Sequence, residues 1–248
     1  MRIHGFPSAI QVPLHLFRED APLKAHPAYV LAKAGDVFAA LSVVEDLAYP
    51  LAMRARAAFE PGTIYMAPHA REATGDNAIP QVLAQAVAYM ADGEADEEVV
   101  QINRVFHTGA DPMERLNHQP AFAGAIKAGA RHVLVDDVMT MGGTLAELAH
   151  HVQANGGAVI GAVVIVNASR TGRLIPEPRL MRILETRHGD TIRDLFRIEP
   201  SALSADEARY LLGFRTADEL RNRSAKARQE TNLRLRAKSL HRLGGQEG

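Results

Sequence analysis

The sequence predicts an α/β fold: a central, mainly parallel sheet flanked by helices, with helical additions at both ends. Three observations lead there. Residues 158–166, AVIGAVVIV, are almost wholly apolar, and residues 132–135, HVLV, form a shorter mostly apolar run, as expected of parallel strands buried on both faces. Between them, residues 144–154 read as a helix ended by Asn155-Gly156-Gly157, so strand, helix and strand follow with short joints, the makings of a right-handed crossover. Residues 63–67 are another short apolar run, and a polar, glycine-containing segment leads from it into a helix over 81–90, repeating the arrangement.

The 248 residues suffice to bury a full core. Residues 1–60 read as a largely helical cap, 61–200 as the core and 201–248 as a helical extension. A formal net charge of −1 gives no reason to expect nucleic acid as a partner. Cysteine is absent, which excludes disulfides, thiolate catalysis and thiolate metal ligands. No apolar segment reaches the roughly 18 residues of a membrane span, and the first residues lack the apolar run of a signal peptide, so a cytoplasmic protein without membrane contact is expected.

In chain order, residues 1–22 are short apolar pieces broken by Pro7, Pro13 and Pro22, expected to wrap the core. Helices are expected over 25–33 and 36–48, the second with Val37, Leu41, Val44 and Ala48 along one face. Pro50 is expected to interrupt before a further helix over 51–59. After the strand at 63–67, the loop 68–80, PHAREATGDNAIP, stands where the C-terminal ends of parallel strands present ligand-binding segments. His69 and Arg71 are its cationic donors, and Asp76 and Asn77 could accept hydrogen bonds or fix the loop.

Residues 91–98, ADGEADEE, read as a solvated linker, and residues 99–106 have strand character. Residues 107–118 have almost no sustained apolar period, the composition of a lid, and a helix is expected over 121–128.

Residues 132–145, HVLVDDVMTMGGTL, carry the chemistry. Two carboxylates, Asp136 and Asp137, close the strand, and Thr140, Met141, Gly142, Gly143 and Thr144 turn into a helix. Glycines let the backbone turn tightly, so that N–H groups converge on one point, and the helix adds its positive end and unpaired first-turn donors. A phosphate suits that point. The carboxylates repel it and are better placed to accept from hydroxyls beside the phosphate, or to bind a divalent cation through water. A sugar phosphate meets both requirements. No GxxxxGK[ST] and no GxGxxG spacing occurs, so neither a P-loop nor a dinucleotide fingerprint is present.

The order of apolar strand, Asp-Asp, apolar residue, any residue, Thr, any residue, Gly-Gly-Thr and helix resembles the type I phosphoribosyltransferase family, and residues 133–144 match it throughout. The likeness covers roughly residues 61–170. It implies a Rossmann-like core and a co-substrate, 5-phosphoribosyl-1-diphosphate (PRPP). Asp136 and Asp137 would contact the ribose hydroxyls, and Thr140, Met141, Gly142, Gly143 and Thr144 would hold the 5-phosphate. The loop 68–77, with His69 and Arg71, would take the diphosphate, and Mg2+ would be held near Asp136 and Asp137. The family's flexible loop between its second and third core strands falls near residues 104–118, where Arg104 and Arg115, with His107 behind them, are the candidate catalytic cations. In some members the segment after the strand at 158–166 meets the acceptor, which makes Ser169 and Arg170 candidates there. Members acting on 6-oxopurines carry an aspartate where this chain has Thr140, so hypoxanthine and guanine are not the expected acceptors. Residues 104–122 also resemble, more loosely and with one residue of spacing changed, phosphoribosyltransferase-like proteins linked to DNA uptake.

Toward the C-terminus, residues 179–185 are ambiguous between strand and helix, and 192–198 read as a short edge element. Ser204 and Thr216 each begin an S/T-x-x-E capping box, the start of a helix. Residues 215–248 hold nine Lys/Arg against four Asp/Glu, read as a helical tail with a solvated basic face. The expected function is phosphoribosyl transfer from PRPP to a nucleobase-like nitrogen acceptor with release of diphosphate. A non-catalytic PRPP- or nucleotide-binding regulatory protein of the same fold is the alternative. Small-molecule substrates and a homodimer are the expected partners.

Overall fold

The structure is a computed structural model that describes residues 1–68, 71–72, 75–103 and 110–244. The chain opens with β1 (Leu14–Phe17), the short helices α1 (Ala21–Lys24) and α2 (Tyr29–Lys33), and the long α3 (Val37–Ala58). β2 (Ile64–Met66), a ribbon of β3 (Arg71–Glu72) and β4 (Gly75–Asp76), α4 (Ile79–Met90) and β5 (Glu94–Ala95) follow. A second ribbon pairs β6 (Val100–Gln101) with β7 (Phe122–Ala123) around α5 (Pro112–Asn117). Then come β8 (Arg131–Met139), α6 (Gly143–Ala154), β9 (Ala158–Asn167), α7 (Pro178–Phe196), α8 (Ala205–Leu212) and α9 (Ala217–Gly244).

The main sheet runs β1-β9-β8-β2-β5, every pairing parallel, with β8 at its centre. Successive residues of β8 serve opposite layers, as the two-residue period of a strand requires. Val133 and Val135 pack with α3 and α4, while Leu134 joins Met66, Val164 and the inner face of α6. A third apolar cluster gathers α5, α7, α8 and α9 beside the C-terminal end of the sheet, with Met141 packed against it. The expected α/β class is therefore observed.

Several elements depart from expectation for physical reasons. Residues 14–17 do not merely wrap the core; they add a parallel edge strand to β9. Pro50 sits inside α3 without interrupting it. Its fixed φ suits a helix, and because Pro50 is exposed, water can serve the carbonyl its missing N–H leaves unpaired. The buried stripe of α3 is Ala40, Val43, Val44, Ala48, Leu51, Ala52 and Ala55, whereas Val37 and Leu41 face outward. The acidic stretch 91–98 is not a linker, since Glu94 and Ala95 form the sheet's other edge against β2.

Among the described residues of 99–106, only Val100 and Gln101 pair, and they do so in the small ribbon rather than the main sheet. The helix expected at 121–128 is absent. Gly124 there holds φ +137°, and a Cβ on it would stand 2.4 Å from the Glu98 carbonyl, so the chain turns where a helix would continue. The polar stretch before it contains α5, started by an Asp111–Glu114 capping box that its lack of apolar period concealed. Residues 178–196 form one helix, which settles the ambiguous 179–185 as helical and takes up most of the edge element expected at 192–198, leaving Ile198 to bridge with Arg2. Both later helix starts are found where expected, after Ser204 and Thr216. The basic α9 is not wholly solvated. Arg223 pairs with Asp111, Ser224 and Asn117 exchange hydrogen bonds, and Thr231 donates to Glu114, so α9 splints α5.

Candidate active site

The C-terminal ends of β2 and β8 open into one cleft of about 180 Å³. Its lining brings together Pro68 and Asn77 from the segment after β2, Asp136 to Thr144 at the end of β8, Lys33 from α2, Arg115 from α5 and Glu207 from α8. The two segments singled out in the sequence thus meet in space. Position on a parallel sheet's carboxyl edge is where such folds bind ligands.

Asp137 is buried and held from three directions. Its Oδ2 accepts from Asn77 Nδ2 at 3.1 Å and lies 3.2 Å from the Lys33 ammonium, and its Oδ1 accepts from the Val138 N–H at 2.9 Å. Asp136 Oδ1 accepts from the Asp137 N–H at 2.9 Å. Burial, and then the neighbouring Asp137 charge, push the Asp136 carboxyl well above the ordinary carboxylate range, with Lys33 opposing. Both carboxyls line the cleft, where their oxygens can accept from hydroxyl groups.

At the other end, Gly142 is the N-cap of α6 with φ 81°, a left-handed conformation that a side chain resists. The first helical bond is Ala146 N–H to the Gly142 carbonyl at 2.9 Å, so the N–H groups of Gly143, Thr144 and Leu145 precede the intrahelical ladder. With the helix's positive end, they are able to receive an anion. Arg115 reaches the same loop: its Nη1 donates to Thr140 Oγ1 at 2.6 Å, and its Nε to the Ala110 carbonyl at 3.1 Å.

A carboxylate near an anion seat would weaken it, and Glu207 lines this cleft. Its charge is countered by the fully buried Arg2, whose Nη2 lies 2.7 Å from Glu207 Oε2. Glu207 also accepts from the Ser204 N–H at 2.9 Å, and Ser204 Oγ donates to the Met141 carbonyl at 2.5 Å. The start of α8 is thereby fastened to the Thr140–Thr144 loop. Arg2 Nε lies 3.5 Å from Glu147 as well, and burial raises the Glu147 carboxyl to about 7. One cation between two carboxylates favours a proton on the second.

Of the residues singled out from sequence, Asp136, Asp137, Thr140, Met141, Gly142, Gly143, Thr144 and Arg115 share this cleft. Arg71 lies on β3 between Pro68 and Asn77, which both line it. His69, Arg104 and His107 lie outside the described residues. Ser169 is not at the cleft: it is buried, donating to Asn167 Oδ1 at 2.5 Å. Sequence reasoning missed Lys33 and Gln119, which no local pattern marks, and read Glu207 only as half of a capping box.

Among the described residues no group of three or more His, Cys, Asp or Glu side chains could cage a metal alone. Two adjacent carboxylates suit Mg2+ only where ligand oxygens and water complete its octahedron, and Asp136 and Asp137 fit that arrangement.

An all-parallel sheet with an Asp pair and a Thr/Gly loop on its central strand is consistent with the type I phosphoribosyltransferase α/β fold. The family profile of the phosphoribosyl transferase domain matches residues 80–181. Protein TraN of Escherichia coli is 32% identical over 221 residues, which cover 87% of this chain and 49% of that protein. A protein of Haemophilus influenzae named only as uncharacterized is 33% identical over 126 residues, 50% of this chain and 28% of its own length. The chain thus spans 49% of the first curated relative and 28% of the second. Among solved structures, adenine phosphoribosyltransferase of Leishmania donovani aligns at 16% identity and a TM-score of 0.37, covering 79% of this chain and 87% of that one. Among the described residues no helix is long and apolar enough to cross a membrane.

Proposed function

We propose that the chain binds PRPP in this cleft and transfers its 5-phosphoribosyl group to a nitrogen acceptor, releasing diphosphate. One observation carries the reading: a pair of carboxylates suited to ribose hydroxyls stands on the same strand end as an anion seat suited to the 5-phosphate, with a cation at each end. Asp136 and Asp137 would take the 2- and 3-hydroxyls, and the Thr140–Thr144 loop with Arg115 the 5-phosphate. Lys33 and the segment 68–77, with His69 and Arg71, would face the diphosphate.

In the reaction the bond from C1 to the diphosphate oxygen breaks, a bond from C1 to the acceptor nitrogen forms, and the acceptor's proton passes to solvent. Positive charge grows on the sugar while negative charge grows on the leaving group, so holding both phosphate ends and placing cations by the diphosphate are the protein's main tasks. Mg2+, held through water by Asp136 and Asp137, would neutralise the diphosphate. Arg104 is a candidate cation for the departing diphosphate.

The test is diphosphate release from PRPP and Mg2+ across a panel of nucleobases, with Asp136→Asn/Asp137→Asn as control. Turnover on one base, abolished in the control with the fold retained, is the expected result. Tight PRPP binding without turnover on any base would assign the chain to PRPP sensing. No PRPP binding at all overturns the proposal.

A further inference from the structure

A buried charge cluster stands at the start of α6, beside the anion loop, with Arg2 at its centre. The guanidinium is fully buried and meets three groups. Nη2 lies 2.7 Å from Glu207 Oε2, Nε lies 3.5 Å from Glu147 Oε1, and Nη1 donates to the Gly143 carbonyl at 3.4 Å. The main chain is clamped as well: the Arg2 N–H donates to the Arg197 carbonyl, and the Arg2 carbonyl accepts from the Glu199 N–H, both at 2.8 Å. A side chain held at its root can divide its charge only among the acceptors it already meets.

The two carboxylates are held unequally. Glu207 Oε2 accepts from the Ser204 N–H at 2.9 Å, and Oε1 from Gln119 Nε2 at 3.5 Å. Oε1 also stands over the first residue of α6, so close that a Cβ on Gly143 would meet it at 2.9 Å. Glu147 accepts no hydrogen bond among the described residues, and the Arg2 Nε beside it has no hydrogen-bond partner. With its side chain 14% exposed, Glu147 can still exchange a proton with solvent.

One guanidinium against two carboxylates leaves this trio with one net negative charge when Glu147 is ionised, and with none when Glu147 holds a proton. A charge in a poorly polarisable interior acts strongly on an anion nearby. The Met1 amine also faces Glu147 from the N-terminal segment, and among the described residues the strands packed on α6 bring no charged group to it. Burial outweighs the pull of Arg2 and raises the Glu147 carboxyl to about 7. His4 and His150, whose rings lie 5.4 Å apart, stand near Arg2 with His151 beyond, and burial lowers His150 from its ordinary value.

We propose that Glu147 regulates the 140–144 loop through Arg2: a proton on Glu147 leaves Arg2 to Glu207 alone, and the loop then holds an anion more tightly. This rests on reading the loop as a phosphate seat. Sulfate is the probe, because it keeps both charges over the range used, whereas a phosphate ester takes up a proton at about pH 6. Its binding to the full chain is followed through the amide signals of Gly143 and Thr144 by NMR at pH 6 and pH 8. Sulfate binds about threefold or more tighter at the lower pH. Glu147→Gln, which imitates the protonated carboxyl, binds with the tighter affinity at both, and His4→Gln/His150→Gln keeps the response. By reciprocity, saturating sulfate moves the Glu147 titration, read from its carboxyl carbon, upward by about half a pH unit.

A residue that only joined α6 to the N-terminal segment would change the melting temperature when substituted and leave anion affinity indifferent to pH. Equal sulfate affinity at the two pH values, a response that survives Glu147→Gln, a response lost in the histidine variant, or no sulfate binding at the loop overturns the proposal. PRPP titrated by calorimetry in parallel separates the two readings. A chain that shows the sulfate response without binding PRPP supports the regulation and sinks the donor reading. One that binds PRPP while its sulfate affinity ignores Glu147 overturns the regulation and leaves the donor reading intact.

Discussion

The Lys33 ammonium stands 3.2 Å from Asp137 Oδ2, on the same oxygen that accepts from Asn77. Lys33 ends α2 and Asp137 stands on the central strand, so the pair joins the two within the cleft. With Asn77 keeping Asp137 in place, Lys33 can turn toward a bound diphosphate. Lys33→Met should weaken PRPP binding by about tenfold, or about 1.4 kcal/mol, measured by titration calorimetry. It should also flatten the salt dependence of that binding, since a charge is lost.

Arg115 spans the Ala110 carbonyl and Thr140 Oγ1 with two different nitrogens. Arg115→Met should raise the Kd for PRPP by about tenfold or more with the fold kept. Arg115→Lys should fail to restore it, because an ammonium cannot reproduce a fork of fixed geometry. Calorimetry together with thermal melting of both variants checks this.

Glu147 is raised to about 7 from an unfolded value of 4.5, chiefly by burial. A carboxyl raised on folding binds its proton more tightly in the native state, so its contribution is complete below the unfolded value and is lost as pH climbs through about 7. Unfolding free energy should fall by about 2–3 kcal/mol between about pH 5 and pH 8. Glu147→Gln should remove most of that slope, as read from urea unfolding at each pH.

Ser204 caps α8 through the Glu207 N–H and donates to the Met141 carbonyl. Ser204→Ala should cost about 1 kcal/mol of stability and, by freeing Met141, weaken PRPP binding as well. A stability loss with unchanged PRPP affinity would separate the cap from the loop.

The parts of this molecule legible in its sequence are those where neighbours in the chain do the work. The Asp136–Asp137 pair, the Gly142-Gly143 turn, the two central strands and the S/T-x-x-E helix starts each depend on residues a few positions apart. Lys33 could not be found that way, because it acts on a residue 104 positions away. Pro50 misled because a helix tolerates proline when the orphaned carbonyl can be hydrated. The edge strand at Glu94 and Ala95 misled because its acidic composition reflects solvent on one side rather than the pairing on the other. α5 escaped notice because its two buried apolar residues, Met113 and Leu116, are too few to show a period, and its remaining support comes from α9, far along the chain.

Arg2 and Glu207 meet across 205 residues of sequence, and Glu207 is fastened through Ser204 to the anion loop. The loop at 140–144 is therefore not completed when its own strand and helix form. During synthesis β8 and α6 leave the ribosome well before α8 does, and the early segment carrying Arg2 must wait for residue 207 to close the circuit. The final geometry of this loop should accordingly be among the last features acquired on folding, and among the first lost when Arg2 and Glu207 are pulled apart.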